Sequence, residues 1–424
     1  MFSTSDNQEK RAEFSVSVQE EGRKASSQTM VFFSATNEIE LISSTRQTTL
    51  RRTRVPENFI ESAKIGYSFP LFGREICITA ALNAEARTVC SVEGEDLSTV
   101  PMWLDCDPGH DDMLAIMLAV HHPGISLIGI STVQGNQTLA KVTDNAARSL
   151  FLAGAKRDVI PGSTDPILRA PQQCAEIHGE SGLGGLTSAF WDTVDFDPEP
   201  MIIRPESPFA EIAQRIISAS KARSCRVKLV ATGAQTNIAI LLKAFPELKK
   251  HIEVVFMGGT YNMGNTGSFS EFNIQCDPEA AAIVAASGVP VTMVPLDVTH
   301  TVTITEAVKT QMAEGMGATK LHDVLVKLLG FFEETYREVF HFDHPPVHDP
   351  CAVLFAVAPE LFETKAVHLA VETQGMCAGA TCCDMYGFQK QEPNATVCTK
   401  LDVPAFWDAM IAALARANKL CPLN

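Results

Sequence analysis

Asp105, Asp107, Asp111 and Asp112 place four carboxylates within eight residues, in the run Leu104-Asp105-Cys106-Asp107-Pro108-Gly109-His110-Asp111-Asp112. Like charges this close raise one another's pKa unless a cation or a donor-rich ligand neutralises them. Oxygen donors in this number suit a hard divalent ion. A solvated acidic turn, with Asp111 and Asp112 favouring a helix N-terminus through its dipole, would use the same residues. The flanks weigh against that. Met102-Trp103-Leu104 is too apolar for an exposed turn, and the stretch from Met113 to Val120 is apolar nearly all round, as a buried helix is. The acids are therefore expected at a seam in the core, between a strand and a helix.

The elements that must hold them follow from periodicity. From about residue 101 short β-branched runs alternate with helical patterns, which predicts an α/β fold with a mostly parallel open sheet and helices on both faces. Strands are predicted at 125–133, 227–231, 252–257, 291–296 and 366–373, and helices at 139–153, 209–222, 280–286 and 405–417. Ser207-Pro208 and Asp277-Pro278 read as helix starts, a cap followed by proline. The distinctive polar segments fall where strands end: Asp105, Gln134-Gly135-Asn136, Thr232-Gly233 and Met257-Gly258-Gly259. In open parallel sheets ligands bind at the carboxyl ends of strands, so these segments should line one crevice.

Composition bounds the partners. The 424 residues are 46% hydrophobic and 20% charged, an ordinary globular balance, and the net charge of -16 leaves no basic face for nucleic acid. No run of 18 apolar residues occurs, so no membrane span is expected. The twelve cysteines show no C-x-x-C pair and read as buried thiols of a reducing compartment. With no apolar leader segment behind the first methionine, a cytoplasmic location is expected. Residues 1–100, rich in Ser, Thr, Glu and Arg, read as an extension in part disordered, and 101–424 as the catalytic domain.

Further blocks extend the pattern. They are His178-Gly179-Glu180-Ser181-Gly182-Leu183-Gly184, Ala231-Thr232-Gly233-Ala234-Gln235-Thr236-Asn237, Glu271-Phe272-Asn273, Asp277-Pro278-Glu279 and His348-Asp349-Pro350. With the Asp105–Asp112 run and Gln134-Gly135-Asn136, in this order and spacing, the chain from about Pro101 onward resembles the inosine-uridine preferring nucleoside hydrolases. These are calcium enzymes that cleave the N-glycosidic bond of ribonucleosides. Three positions depart from the family pattern: His110 stands where a small or aliphatic residue is common, Gln235 where Leu is usual, and Gly379-Ala380 where a basic-Gly pair is common. These bear on substrate preference more than on the reaction.

That resemblance implies a Rossmann-like core, a small ribonucleoside as substrate and a homo-oligomer of two or four chains. It implies Ca2+ held by Asp107, Asp112, Asp349 and the backbone carbonyl of Thr232, with Asp107 also the general base and Asp105 supporting the ligands. Asp111, Asn136, Asn265, Glu271 and Asn273 would hold the ribose, with Met257 packing beneath it. His348 would protonate the leaving base. Phe332 and Tyr336, at i and i+4 on one helix face, could stack on the base or belong to a plain core stripe. The Gly-rich loop at His178 could close over the pocket or be merely structural. Two other readings use the same residues. In a haloacid-dehalogenase-like phosphatase Asp105 would be the nucleophile and Asp107 the acid, but Pro108-Gly109 then follows where a hydroxyl residue is needed. A calcium- and nucleoside-binding protein without catalysis would keep every proposed ligand.

Overall fold

The computed structural model describes residues 99–424 throughout; N-terminal to them it describes only the backbone of short antiparallel strands, within a unit, Met1–Glu95, that clusters apart from Asp96–Asn424. The expectation of partial disorder in residues 1–100 lies outside the described residues.

One sheet organises the second unit. Its strands are β1 (Val100–Cys106), β2 (Ile125–Thr132), β3 (Val159–Pro161), β4 (Val227–Ala231), β5 (Ile252–Met257), β6 (Val291–Val294), β7 (Phe362–Val367) and β8 (Ala395–Leu401). The spatial order is β3-β2-β1-β4-β5-β6-β8-β7. All neighbours run parallel except β7, which is antiparallel to β8. The chain leaves β1 toward β2 and β3, then returns to the other side of β1 at β4. This reversal opens a crevice at the carboxyl ends of β1 and β4.

Among the described residues nine helices have eight residues or more. They are α1 (His110–His121), α2 (Leu139–Leu152), α3 (Pro208–Arg223), α4 (Thr236–Ala244), α5 (Pro278–Ala285), α6 (Glu306–Met316), α7 (Lys320–Val339), α8 (Asp349–Val357) and α9 (Val403–Leu420). They cover both faces of the sheet. Met102, Leu104 and Cys106 of β1 turn to one core with α1, α8 and α9, while Trp103 turns to another with α3, α4 and α5. Alternate side chains must point to opposite faces, and a sheet buried on both sides can therefore be apolar at every position.

The α/β architecture expected from periodicity is what the chain adopts, with local differences. The strand expected through Leu296 stops at Val294, because Pro295 has no N–H to donate and Leu296 opens a short helix, Leu296–Thr299. The strand expected at 366–373 divides. Asn394 intervenes: its Oδ1 accepts from the Leu369 amide at 2.7 Å and its Nδ2 donates to the Leu369 carbonyl at 2.9 Å. Leu369–Val371 then pairs with Thr381–Cys383 in a separate hairpin. Strand β8, between β6 and β7, was not anticipated.

Gly129 interrupts the β1–β2 register, and a Cβ there would lie 2.6 Å from the Trp103 ring. That ring is fixed from its other end, its Nε1 donating to Ser131 Oγ at 2.9 Å. Gly129→Ala is expected to cost about 1–3 kcal/mol through overpacking, seen as a lower Tm in thermal unfolding; an unchanged Tm would mean the indole moves aside freely.

Candidate active site

Helix α1 begins at the crevice. Its cap, Gly109, donates its amide to Asp112 Oδ2 at 3.0 Å, and Asp111 and Asp112 occupy the first turn, where the dipole favours anions. The loop after β2 supplies the main organiser. Asn136 donates its amide to Asp107 Oδ2 at 2.7 Å, and its Nδ2 donates to the Asp107 carbonyl at 3.1 Å and to Asp112 Oδ2 at 3.2 Å. Gly135 and Gly233 leave room for the Asp107 carboxylate: a Cβ on the first would stand 2.1 Å from Oδ2 and on the second 2.8 Å from Oδ1.

From β4, Thr232 donates its hydroxyl to Asp112 Oδ1 at 2.8 Å. Its carbonyl accepts from Asn273 Nδ2 at 2.8 Å. Helix α8 brings His348 as its cap and Asp349 as its first residue. Carboxylate atoms of Asp111, Asp112 and Asp349, all buried, lie within 4.8 Å of one another. Asp107 is not in that trio but is tied to Asp112 through Asn136. Asp105 stands behind: its Oδ1 accepts from Ser131 Oγ and from Asn237 Nδ2, the latter at 2.8 Å.

A cavity of about 300 Å³ opens beside the carboxylates, large enough for a small ligand. Of the residues singled out from the sequence, Asp111, Asn136, Thr232, Met257, Asn265, Glu271, Asn273, Tyr336, His348 and Asp349 line it. Asp105, Asp107 and Asp112 do not; they are buried behind that wall. Among the described residues no Lys or Arg lines the cavity. Glu271 caps the short helix Phe272–Cys276, one oxygen accepting from the Asn273 amide at 2.9 Å and the other from Gly259 at 3.0 Å and Ile274 at 3.2 Å. Asn265 accepts the Phe272 amide at 3.0 Å.

Part of the wall is aromatic, with Phe332, Tyr336 and Phe340. Phe331 faces away onto His110, and Phe342 packs on His300 instead. The Tyr336 hydroxyl lies 2.9 Å from His348 Nε2, and Thr299 Oγ1 lies 2.7 Å from His348 Nδ1. The His178 loop is docked in place: Gln137 donates to the Gly179 carbonyl at 3.1 Å and Asn145 to the Ser181 carbonyl at 2.8 Å. Sequence reasoning missed Thr299, whose hydroxyl carries no distinctive spacing, and gave no role to Asn237 of the Ala231–Asn237 block. It also missed the pairing of His110 with His178.

Burial dominates the electrostatics. It drives Asp107 and Asp349 well above the usual carboxylate range, with neighbouring carboxylates adding to the shift. It pushes His348 well below the ordinary imidazole value. Asp107 Oδ1 and Asp105 Oδ2 are buried without a hydrogen-bond partner among the described residues. Unpartnered buried carboxylate oxygen is costly. An oxygen-only donor set with surplus negative charge therefore fits a hard divalent cation.

An open doubly wound sheet with a polar crevice at its switch point defines an α/β enzyme for a small molecule. The chain belongs to the inosine-uridine preferring nucleoside hydrolase family, whose model matches residues 102–408. It is 38% identical over 325 residues to a probable ribonucleoside hydrolase of Dictyostelium discoideum, covering 74% of this chain and 94% of that one. It is 39% identical over 322 residues to a pyrimidine-specific ribonucleoside hydrolase of Citrobacter koseri, covering 74% and 98%. Among solved structures, a purine-preferring ribonucleoside hydrolase from Gardnerella vaginalis superposes with a TM-score of 0.67 at 31% identity, over 75% of this chain and 99% of that one.

Asp105, Asp111 and Glu271 are each raised to about 7 by burial, against roughly 4 in an unfolded chain. Between those values the folded, cation-free protein binds more protons than the unfolded one, so its stability falls as pH rises. Chelator-treated protein is expected to melt at lower temperature at pH 8 than at pH 5, and a divalent cation to restore more at pH 8. A cation-free Tm that climbs over this interval would contradict the argument.

Proposed function

We propose that this protein hydrolyses the N-glycosidic bond of ribonucleosides with calcium, giving ribose and a free base. The observation that carries the reading is the buried Asp107 Oδ1, unpartnered among the described residues, behind a cavity to which those residues bring carboxylates and amides but no cationic side chain. Such a wall suits vicinal hydroxyls and rejects a phosphate, so the substrate is the nucleoside. Asp107, Asp112, Asp349 and the Thr232 carbonyl would hold the ion. Bound there, it supplies positive charge that neutralises the acids and lowers the pKa of water.

Asp107 Oδ1 takes the proton of the water that attacks the anomeric carbon. As the new C–O bond forms, the C–N bond breaks and its electron pair stays with the base. Asp111, Asn136, Asn265, Glu271 and Asn273 orient the ribose, and Met257 forms an apolar floor beneath it. Binding energy from those hydroxyls is thereby used at the reacting carbon. Asp105 keeps the β1 end in place through Ser131 and Asn237. The leaving base receives its proton from His348 by way of the Tyr336 hydroxyl: as Tyr336 gives its proton to the base nitrogen, its oxygen takes the Nε2 proton of His348, which solvent restores after the base departs. Thr299 can donate to Nδ1, leaving the imidazole proton on Nε2, and the His348–Tyr336 pair then offers a proton to the cavity.

Asp105 does not suit the phosphatase role, since Ser131 and Asn237 engage its Oδ1 and the cavity wall, with no Lys or Arg among the described residues, gives a phosphate no cationic partner. The ten cysteines of the described residues are all unpaired, which supports a cytoplasmic location. Among the described residues no helix is long and apolar enough to cross a membrane.

Incubation with uridine and inosine in the presence of calcium should release ribose. Asp107→Ala is expected to lower that rate by at least ~10²-fold and to weaken calcium binding measured by titration calorimetry. No ribose from any common nucleoside, with calcium bound and the fold intact, would support a binding protein instead. His348→Ala should spare calcium affinity and slow inosine by about 10²-fold, while p-nitrophenyl riboside, whose leaving group needs no proton, loses far less. Equal losses on both would remove His348 from the acid's role.

A further inference from the structure

Asp297 lies outside the cavity wall, yet three consecutive residues close on its carboxylate. Thr260 Oγ1 donates to its Oδ2 at 2.9 Å, the Tyr261 amide donates to the same oxygen at 3.0 Å, and Asn262 Nδ2 donates to its Oδ1 at 2.6 Å. Thr260 Oγ1 in turn accepts from the Asn262 amide at 3.0 Å. These residues open the loop 260–270, whose tip brings Asn265 and Thr266 to the cavity. Thr381 of the separate hairpin already fixes where the loop starts: its hydroxyl accepts from the Thr260 amide at 2.9 Å and donates to the Thr260 carbonyl at 2.6 Å. What Asp297 adds is direction, since a carboxylate that gathers donors from 260, 261 and 262 sets the bend by which the chain leaves the end of β5.

The two halves of the loop are held differently. The returning half ends at buried Ser270, whose carbonyl accepts from the Asn265 amide at 3.1 Å, and at the capped helix Phe272–Cys276. The outgoing half is exposed at Asn262 and Met263, and Asp297 ties it to the body of the fold. The passage between them is narrow: a Cβ at Gly264 would stand 2.2 Å from the Ser270 carbonyl oxygen. A change in the outgoing direction is therefore passed on to Asn265. Its Oδ1 accepts from the Phe272 amide and the Thr266 hydroxyl, so Nδ2 is the end it can offer to a sugar oxygen. Asp297 shares the turn Leu296–Thr299 with Thr299, which meets His348 Nδ1 at 2.7 Å. One turn thus mounts both the loop that would hold the sugar and the histidine that would supply the base its proton.

We propose that Asp297 is a positioning residue of the ribose site: by directing the loop 260–270 it holds Asn265 Nδ2 against the sugar. This rests on the nucleoside hydrolase reading above. Asp297 and Thr299 then serve opposite ends of the substrate from a single helical turn, and their effects are separable.

Inhibition of p-nitrophenyl riboside hydrolysis by free ribose reads the sugar site directly. Asp297→Ala should raise the ribose Ki about five- to tenfold, the size of one lost hydrogen bond, and raise KM for inosine, uridine and p-nitrophenyl riboside alike, because all three share the sugar. Calcium affinity measured by titration calorimetry should stay as in the wild type. Asp297→Asn keeps an oxygen for Thr260 and Tyr261 and can pair its amide with a turned Asn262, so its Ki should stay within about twofold of the wild type. Asn262→Ala, an exposed change that the fold tolerates, removes one of the three donors and should raise Ki by about two- to threefold. Thr299→Val should leave the ribose Ki alone and instead slow inosine relative to p-nitrophenyl riboside. A turn that is only structural would move both readouts together in both the Asp297 and Thr299 variants; that result, or an unchanged ribose Ki in Asp297→Ala and Asn262→Ala, overturns the proposal. If the wild-type chain cleaves no riboside, the reaction assignment falls instead, and hydrogen–deuterium exchange of the full chain still decides the arrangement: faster exchange over 260–266 in Asp297→Ala upholds its hold on the loop, and equal exchange removes it.

Discussion

Negative charge confined without water is the constraint on which this structure turns. Asp111, Asp112 and Asp349 offer oxygen atoms within 4.8 Å of one another, and at an effective dielectric of about 20 each ionised pair at that distance would repel by about 3 kcal/mol. Three such pairs approach the whole net stability of a typical domain, about 5–15 kcal/mol. The fold therefore must either protonate the cluster or surround it with donors and a cation. Much of the local design answers that demand. Asn136 and Thr232 are placed so that the amides and hydroxyl of two strand ends point at Asp107 and Asp112.

The sheet makes this convergence possible. Each contributing segment leaves the carboxyl end of a strand or opens a helix, and only the reversal of strand order at β1 and β4 brings those ends side by side. Gly135 and Gly233 are part of the same requirement, because the Asp107 carboxylate occupies the space where their side chains would be. Asn237 reaches from α4 to Asp105 and to the Thr132 carbonyl, joining the far face of β1 to β2. The acidic crevice is thus tied to both cores at once.

How much of this was legible depended on whether a residue's role is local. The carboxylate run between an apolar strand and an apolar helix carries its own signal, and the strands β4 and β5 follow from short β-branched runs. Helix starts at Pro208 and Pro278 were readable because the cap and the proline are adjacent in sequence. What escaped depends on distance along the chain. Strand β8 takes its place between β6 and β7 through pairing that no local pattern specifies. Thr299 matters only because His348 arrives from 49 residues away. The His110–His178 contact spans 68 residues and needs the glycine at 109 to admit it. The site residues named from the sequence mostly line one cavity, yet Asp107 and Asp112 lie behind its wall, a depth that spacing does not encode.

The two sides of the cavity differ in a way that matters for the proposed reaction. One side is carboxylate and amide; the other is aromatic, with histidines whose burial holds them neutral. A breaking glycosidic bond leaves positive charge on the sugar and negative charge on the base. Fixed dipoles and charges aimed at developing charge need no reorganisation during the reaction. In the proposed reaction the carboxylate side would face the charge that develops on the ribose. The neutral side would offer the base hydrogen bonds through Tyr336 and His348, with no fixed cation among the described residues to hold the product. Because Asp111 and Asp112 sit on α1 and Asp349 on α8, while Phe332 and Tyr336 sit on α7, the aromatic wall can vary in sequence while the acids stay intact. Substitution of Phe332 on α7, which spares Tyr336, should therefore alter which base is accepted well before it alters whether the bond is cut.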